Sequence, residues 1–424
     1  KNGFDRDGVA EIQEETRSYP TMGDFPADIR SVKCGWLDYK KALAINSDIA
    51  VLRRFIAGLP KAELHVHIEG TLEPETLLKI GRRNNSMPAD YDKFGGDDAA
   101  WCTAQREKRK FEDLGDFLVQ YYACCDVLKT EEDFYDLCMD YLRRASAANV
   151  VRAEIFFDPQ VHVIERNTLP IETVLSGLHR ACQDGKTLQP PVDAALIMCF
   201  LRHRFEGSGC TPPFTPGEDM KLLQSVINGG HKDKIIGVGL DSGEAGNPPA
   251  LFKEVFGAAR EAGLHCVAHA GEEGPAAWVC DALDVLRVER VDHGVRALED
   301  SGVTRRLAMQ GTPLTVCPCS NHRLQVVSRF FGGENPVRAM LTAGLKVTIN
   351  GDDPAYFFGH VDKYGNSYDS YIVANYVATA IECGLSADEI TNIALNSLDS
   401  CFIPTERKRV YKDALRVYCE TFKP

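Results

Sequence analysis

Ala62-Glu63-Leu64-His65-Val66-His67-Ile68-Glu69-Gly70 is the stretch on which the fold turns. Its β-prone run, Ala62 to Ile68, carries two histidines and is followed by an acid and a glycine, so it reads as a strand that delivers chemistry at its C-terminal end. Positions i and i+2 of a strand face the same side, which points the His65 and His67 imidazoles together. Two neutral nitrogens presented in this way suit zinc. For an isolated His-x-His the commoner explanation is blander, namely two interior histidines satisfied by hydrogen bonds.

Moving outward, seven more runs of strand character follow. They are Val150 to Phe157, Ala194 to Leu201, Ile235 to Leu240, His265 to Ala270, Arg290 to His293, Leu314 to Val316 and Val347 to Asn350. Longer amphipathic stretches separate them, the signature of βα units and a parallel sheet. Eight strands over this length predict an α/β fold, a (β/α)8 TIM barrel, rather than an open sheet. Residues 1–45 lack sustained periodicity and carry Pro20, Gly23 and Pro26, so they are expected to form an N-terminal extension, with residues 46–424 forming the barrel domain. Two polar, Gly- or Pro-bearing insertions, Met87 to Lys110 and Arg204 to Glu218, are expected to be loops or lids.

Composition narrows the function. The chain has 424 residues, 44% of them hydrophobic and 26% charged, and a net charge of −13. That balance is globular, and its sign repels a polyanion, so nucleic acid is excluded as a principal partner. No apolar run reaches the length of about eighteen residues that a membrane span needs, and Lys1 to Thr21 lacks the apolar core of a signal peptide. The fifteen cysteines sit largely in apolar segments. A reduced, cytoplasmic protein is the expectation. Oligomeric state stays open.

The bland reading of His65 and His67 weakens once the other strand ends are inspected. After the fifth strand comes Ala268-His269-Ala270-Gly271-Glu272-Glu273, after the sixth Asp292-His293-Gly294, and after the eighth Asn350-Gly351-Asp352-Asp353-Pro354. A barrel enzyme gathers its site from the C-terminal ends of several strands, so segments remote in sequence meet there. Together they supply three histidines and an aspartate, with a carboxylate and a further histidine to spare.

These segments, in this order, resemble the full motif set of the adenosine/adenine deaminase family of metal-dependent amidohydrolases. The resemblance runs from about Leu59 to about Leu398. It implies that His65, His67, His269 and Asp352 bind Zn2+, that Glu272 is the proton donor, that His293 assists the attacking water and that Asp353 holds the substrate. The chemistry asks for these residue types. Zinc lowers the pKa of bound water toward ~7. Purine C6 becomes electrophilic only when ring nitrogen N1 is protonated, and a protonated Glu272 can supply that proton. Loss of the exocyclic amino group as ammonia leaves a 6-oxo purine.

Within the family the chain resembles the branch acting on adenine more than the one acting on adenosine. The segments that carry this are Ile68-Glu69-Gly70-Thr71-Leu72-Glu73-Pro74, Phe156-Phe157-Asp158-Pro159-Gln160, Gly239-Leu240-Asp241-Ser242-Gly243-Glu244 and the His269 motif itself. Glu69 stands where the adenosine branch places the aspartate that meets the ribose 5′-hydroxyl, and a longer carboxylate should intrude on the sugar. Glu244 is expected to accept the ring N–H that only the free base has. The expected partner is therefore a small purine. The runners-up are an adenosine deaminase and a non-catalytic purine-binding relative on the same barrel. Gly351, where the family usually has Ser, and Asn321-His322-Arg323 depart from the pattern. Cys317-Pro318-Cys319 reads as packed thiols. His162, His179, His231 and His360 read as surface or core residues, and Tyr121-Tyr122 as core aromatics with the option of lining the pocket.

Overall fold

The computed structural model describes residues 35–361 and 367–424. Of the stretch expected as an N-terminal extension, residues 1–34 lie outside the described residues, and the remainder carries the helix Tyr39–Asn46. Eight strands run in parallel in chain order: β1 (Lys61–Glu63), β2 (Val150–Phe157), β3 (Asp193–Leu201), β4 (Ile235–Asp241), β5 (His265–Ala270), β6 (Arg290–His293), β7 (Pro313–Val316) and β8 (Lys346–Ile349). Each pairs with the next, and a parallel bridge between Val66 and Asp352 brings the two ends of the sheet together. This is a (β/α)8 barrel.

β1 is shorter than the expected Ala62 to Ile68 run. Beyond Glu63 the chain stays extended but divides its hydrogen bonds between both neighbours. Val66 O accepts from Phe156 N at 2.9 Å on one side, and His65 O accepts from Asp352 N at 3.0 Å on the other. The splayed barrel mouth allows single bridges there instead of a ladder, and those bridges pin His65 and His67 between β2 and the end of β8.

Two apolar layers build the core. The larger lies between strands and helices, and the smaller lies inside the barrel, where Phe156, Ile197, Cys199 and Val267 pack together. Below that plug the interior is ionic. Glu154 receives hydrogen bonds from Arg152 and Arg290, and the Arg290 guanidinium also lies over the Phe402 ring.

The two insertions behave differently. Residues 204–217 are irregular, as expected. Met87 to Lys110 is not simply a loop: it holds the helix Asp98–Lys108, whose N-terminus is capped by Asp97. Only Trp101 and Cys102 of that helix are buried, too narrow an apolar stripe to announce a helix in sequence. Its register is held instead by polar contacts that periodicity cannot reveal, Trp101 Nε1 to Asp90 and Arg106 to Glu73 and Glu75.

Candidate active site

The C-terminal ends of the strands bring the predicted groups to one place. His65 and His67 leave β1 facing inward, His269 sits on β5, His293 closes β6, and Asp352 and Asp353 follow β8. Two of these residues adopt left-handed backbone, Asp352 at φ +66° and His293 at φ +58°. Side chains other than glycine avoid that region, and the strain is tolerated where surrounding contacts over-determine the geometry. Asp352 is held on both sides, its N–H donating to His65 O and its carbonyl accepting from His67 N.

Inner and outer ring nitrogens have different partners. His65 Nδ1 lies 3.2 Å from the carbonyl of Thr315 and 3.0 Å from its hydroxyl. A carbonyl only accepts, so Nδ1 carries the proton and Nε2 presents a lone pair inward. His67 Nδ1 faces Asp241 at 3.4 Å, and His269 Nδ1 faces Asp292 at 3.7 Å, so the same tautomer serves both. The inner atoms converge. His65 Nε2 and His67 Nε2 are 3.2 and 3.5 Å from Asp352 Oδ1, and His67 Nε2 is 3.3 Å from His269 Nε2. Lone pairs do not approach one another so closely in a dry interior without a cation between them. Bonds of about 2.0–2.2 Å to a tetrahedral ion put its ligand atoms about 3.3–3.6 Å apart, and the set fits a metal on that ground. Electrostatics agree. Burial, helped by His65, His293 and His67, holds His269 well below the usual imidazole range, while Asp352, which burial alone would raise, is held well below the carboxylate range by those imidazoles.

Beside this cluster lie Glu272 and His293. His293 Nε2 is 3.5 Å from Glu272 Oε2 and 3.8 Å from Asp352 Oδ2, and its Nδ1 is 3.1 Å from the Asn321 amide. Burial, then the Asp352 charge, raises Glu272 well above the carboxylate range, and burial pushes His293 down to about 3. Glu272 Oε1 has no hydrogen-bond partner among the described residues, nor has Asp353 Oδ1. Gly70 makes room for Asp353: a Cβ there would stand 1.9 Å from Asp353 Oδ1. Gly351 has a similar reason, since a Cβ would come within 2.8 Å of Glu63 Oε1, which accepts the Gly351 N–H. That close approach accounts for glycine where the family usually has serine.

A cavity opens on these groups. His67, His269, Glu272, His293, Asp352 and Asp353 line it, and so do Asp158 and Asp241. The helix Leu114–Cys124 covers it with Leu114, Phe117, Leu118, Tyr121 and Tyr122. Neither insertion contributes to the lining, so a lid role for them finds no contact here.

Two predicted substrate contacts are not brought to the cavity. Glu69 is buried beside it, where Oε1 accepts from Asp158 N at 3.1 Å and lies 2.9 Å from His162 Nε2. Glu244 accepts the N–H groups of Gly271, Glu272, Glu273 and Gly274 at 2.8–3.0 Å, which occupies both its oxygens. Glu244 therefore braces the loop carrying Glu272 with both oxygens, and Glu69 braces the turn carrying Asp158 through Oε1, while its Oε2 has no hydrogen-bond partner among the described residues. Sequence reasoning passed over Asp158 and Asp241 as site residues. Their position at the ends of β2 and β4 was the available signal, because strand ends build barrel sites.

Comparison with known proteins bears on this geometry. The family model described as adenosine deaminase matches residues 60–418. An adenine deaminase of Vibrio parahaemolyticus is 44% identical over 372 residues, covering 87% of this chain and 98% of its own. One of Zymomonas mobilis is 43% identical over 371 residues, covering 88% and 99%. The crystal structure of adenine deaminase from Arthrobacter aurescens superposes with a TM-score of 0.75 at 38% identity, over 86% of this chain and all of that one. The chain belongs to the adenosine deaminase family.

Proposed function

We propose that this member of the adenosine deaminase family hydrolyses adenine to hypoxanthine and ammonia. The observation that carries the chemistry is the meeting of Glu272 and His293 at a cavity lined also by the imidazoles of His67 and His269 and the carboxylate of Asp352. The choice of base is supported by relatives named adenine deaminase at 41–44% identity.

His65, His67, His269 and Asp352 would hold a divalent metal, zinc by the preference of that donor set, and when bound it supplies Lewis-acid activation of water. The remaining work falls to this chain's own groups. Glu272 donates a proton to ring nitrogen N1, which makes C6 electrophilic. His293, beside Glu272, holds the attacking water in line with C6 and relays its proton. Asp353 meets N7 and sets the orientation of the ring. Water oxygen adds to C6 to give a tetrahedral carbon, one water proton passes through His293 to the amino nitrogen and the other restores Glu272, and the C6–N bond then breaks to release ammonia and leave a carbonyl. The aromatic face of the helix Leu114–Cys124 covers the base and keeps bulk water out.

A small purine is thus the partner. The cytoplasm is the compartment in which the fourteen free cysteines of the described residues would stay reduced. No helix among the described residues is long and apolar enough to cross a membrane.

The test is a side-by-side assay of the metal-loaded protein with adenine and adenosine, following ultraviolet absorbance and released ammonia. Adenine should lead in kcat/KM by roughly 10²-fold or more. Equal values, or a higher one for adenosine, would overturn the choice of substrate.

A further inference from the structure

Asp158 is a buried carboxyl without an assigned task. It follows the last residue of β2, is 2% exposed and lines the cavity. Its Oδ1 has no hydrogen-bond partner among the described residues, Oδ2 meets the Tyr121 hydroxyl at 3.5 Å, the far limit of a hydrogen bond, and the Asp241 carboxyl lies beside it. A carboxyl oxygen left dry and unpaired is costly, and one that faces a cavity is open to completion by a bound ligand.

The position says which part of the ligand. His67 divides the cavity, its Nε2 side facing Asp352 and His269 and its Nδ1 side facing Asp241. Asp158 and Asp241 lie on that second side, where single carboxylate atoms of both come within 4.8 Å of a His67 nitrogen. In the reaction proposed above, C6, N1 and N7 of the purine are engaged by the groups around Asp352, Glu272 and Asp353. The edge left over is C2–N3–C4–N9. In free adenine N9 can carry hydrogen and donate, whereas in a nucleoside it carries carbon. The backbone that carries the carboxyl is held in place, since the Asp158 N–H donates to Glu69 Oε1, and Glu69 in turn meets His162.

We propose that Asp158 is the specificity-determining residue of this site: its free oxygen accepts the N9–H of the base and stands where an N9 substituent would have to go. This rests on the adenine reading above. It also reassigns the discrimination that the sequence placed on Glu69 and Glu244: Glu69 supports Asp158 from behind, and Glu244 is fully engaged with the Glu272 loop.

The experiment compares adenine with 9-methyladenine, which keeps C6, N1 and N7 and changes only the N9 substituent, on metal-loaded wild-type protein and on Asp158→Ala and Asp158→Asn. Wild type should favour adenine by roughly 10²-fold or more in kcat/KM. Asp158→Ala should lose most of its adenine activity through KM while 9-methyladenine is unchanged or improved, so that the ratio falls toward one. Asp158→Asn, whose amide oxygen still accepts, should retain an intermediate preference with unaltered metal content. A variant that loses both substrates in equal proportion, or keeps the wild-type ratio, overturns the assignment. Should the alanine variant fail to fold, wild type alone still decides, because equal use of 9-methyladenine and adenine refutes it. Wild type inactive on adenine would instead refute the substrate reading on which the proposal stands.

Discussion

The two ends of the barrel bury charge in opposite ways. At the bottom, Glu154 gives both oxygens to hydrogen bonds with Arg152, Arg290 and the N–H of Phe402, and the arginines hold its carboxyl below the usual range against the effect of burial. At the mouth, Glu272, Asp353, Asp158 and Asp241 crowd together, and each keeps an oxygen without a partner among the described residues. Only the apolar plug of Phe156, Ile197, Cys199 and Val267 lies between them. The carboxylate buried for architecture is paired within the chain, because an unpaired ion in low dielectric is costly. Charge buried for chemistry is left incomplete, so that something bound can complete it.

Several measurements would break or sharpen that contrast. The largest effect is expected from His269→Ala, which should abolish metal retention and turnover while the fold survives. Full activity in that variant, or no divalent ion in purified wild type, would remove the metal from the account. Next comes Glu272→Gln: metal content and purine binding should be kept, and kcat should fall by roughly 10²–10⁴-fold. Near-normal turnover would mean that the incomplete carboxyl at the mouth is not the acid. At the other end, Glu154→Ala leaves the buried Arg290 without a carboxylate partner and Arg152 with only Asp193, and should cost about 3–5 kcal/mol of stability, read by denaturant unfolding, with little change in kcat of the folded fraction. Gly70→Ala should do the reverse on a smaller scale, pressing a methyl on Asp353, with about 1–3 kcal/mol of overpacking and a raised KM for adenine.

The smallest effect is a pH dependence at the bottom of the barrel. The folded pKa of Glu154 lies below its unfolded value of about 4.3, so its stabilisation is complete above that pH and is lost as the pH falls through the folded value. Glu154→Gln should therefore flatten the acid limb of the wild-type stability profile below about pH 4. An unchanged limb would show that other carboxyls set it.

Much of this was legible in the chain itself. The limits of β2, β5 and β6 coincide with the runs of strand character read in the sequence, and the remaining strands differ mainly by a residue or two at their ends. β1 is the exception, for its hydrogen bonds are shared singly between two neighbours, an arrangement with no local signature. The helix Asp98–Lys108 escaped because its contacts are polar and distant in sequence. His65, His67, His269, Glu272, His293, Asp352 and Asp353 could be expected together because a barrel collects strand ends, whatever the loops between them do.

Which carboxylates face the ligand was a different matter. Glu69, Asp158, Asp241 and Glu244 all lie at or just beyond strand ends, and their local sequence ranks none above the others. Sequence determined the barrel, its strand order and the set of groups at its mouth, since side-chain periodicity and parallel topology follow from short-range chemistry. Tertiary structure alone decided that Glu244 spends itself on four backbone N–H groups, that Glu69 turns to His162, and that Asp158 and Asp241 are left facing the cavity. The reason is that a carboxylate's role depends on which donors come within about 3 Å of it, and those donors arrive from strands and turns far away in the chain.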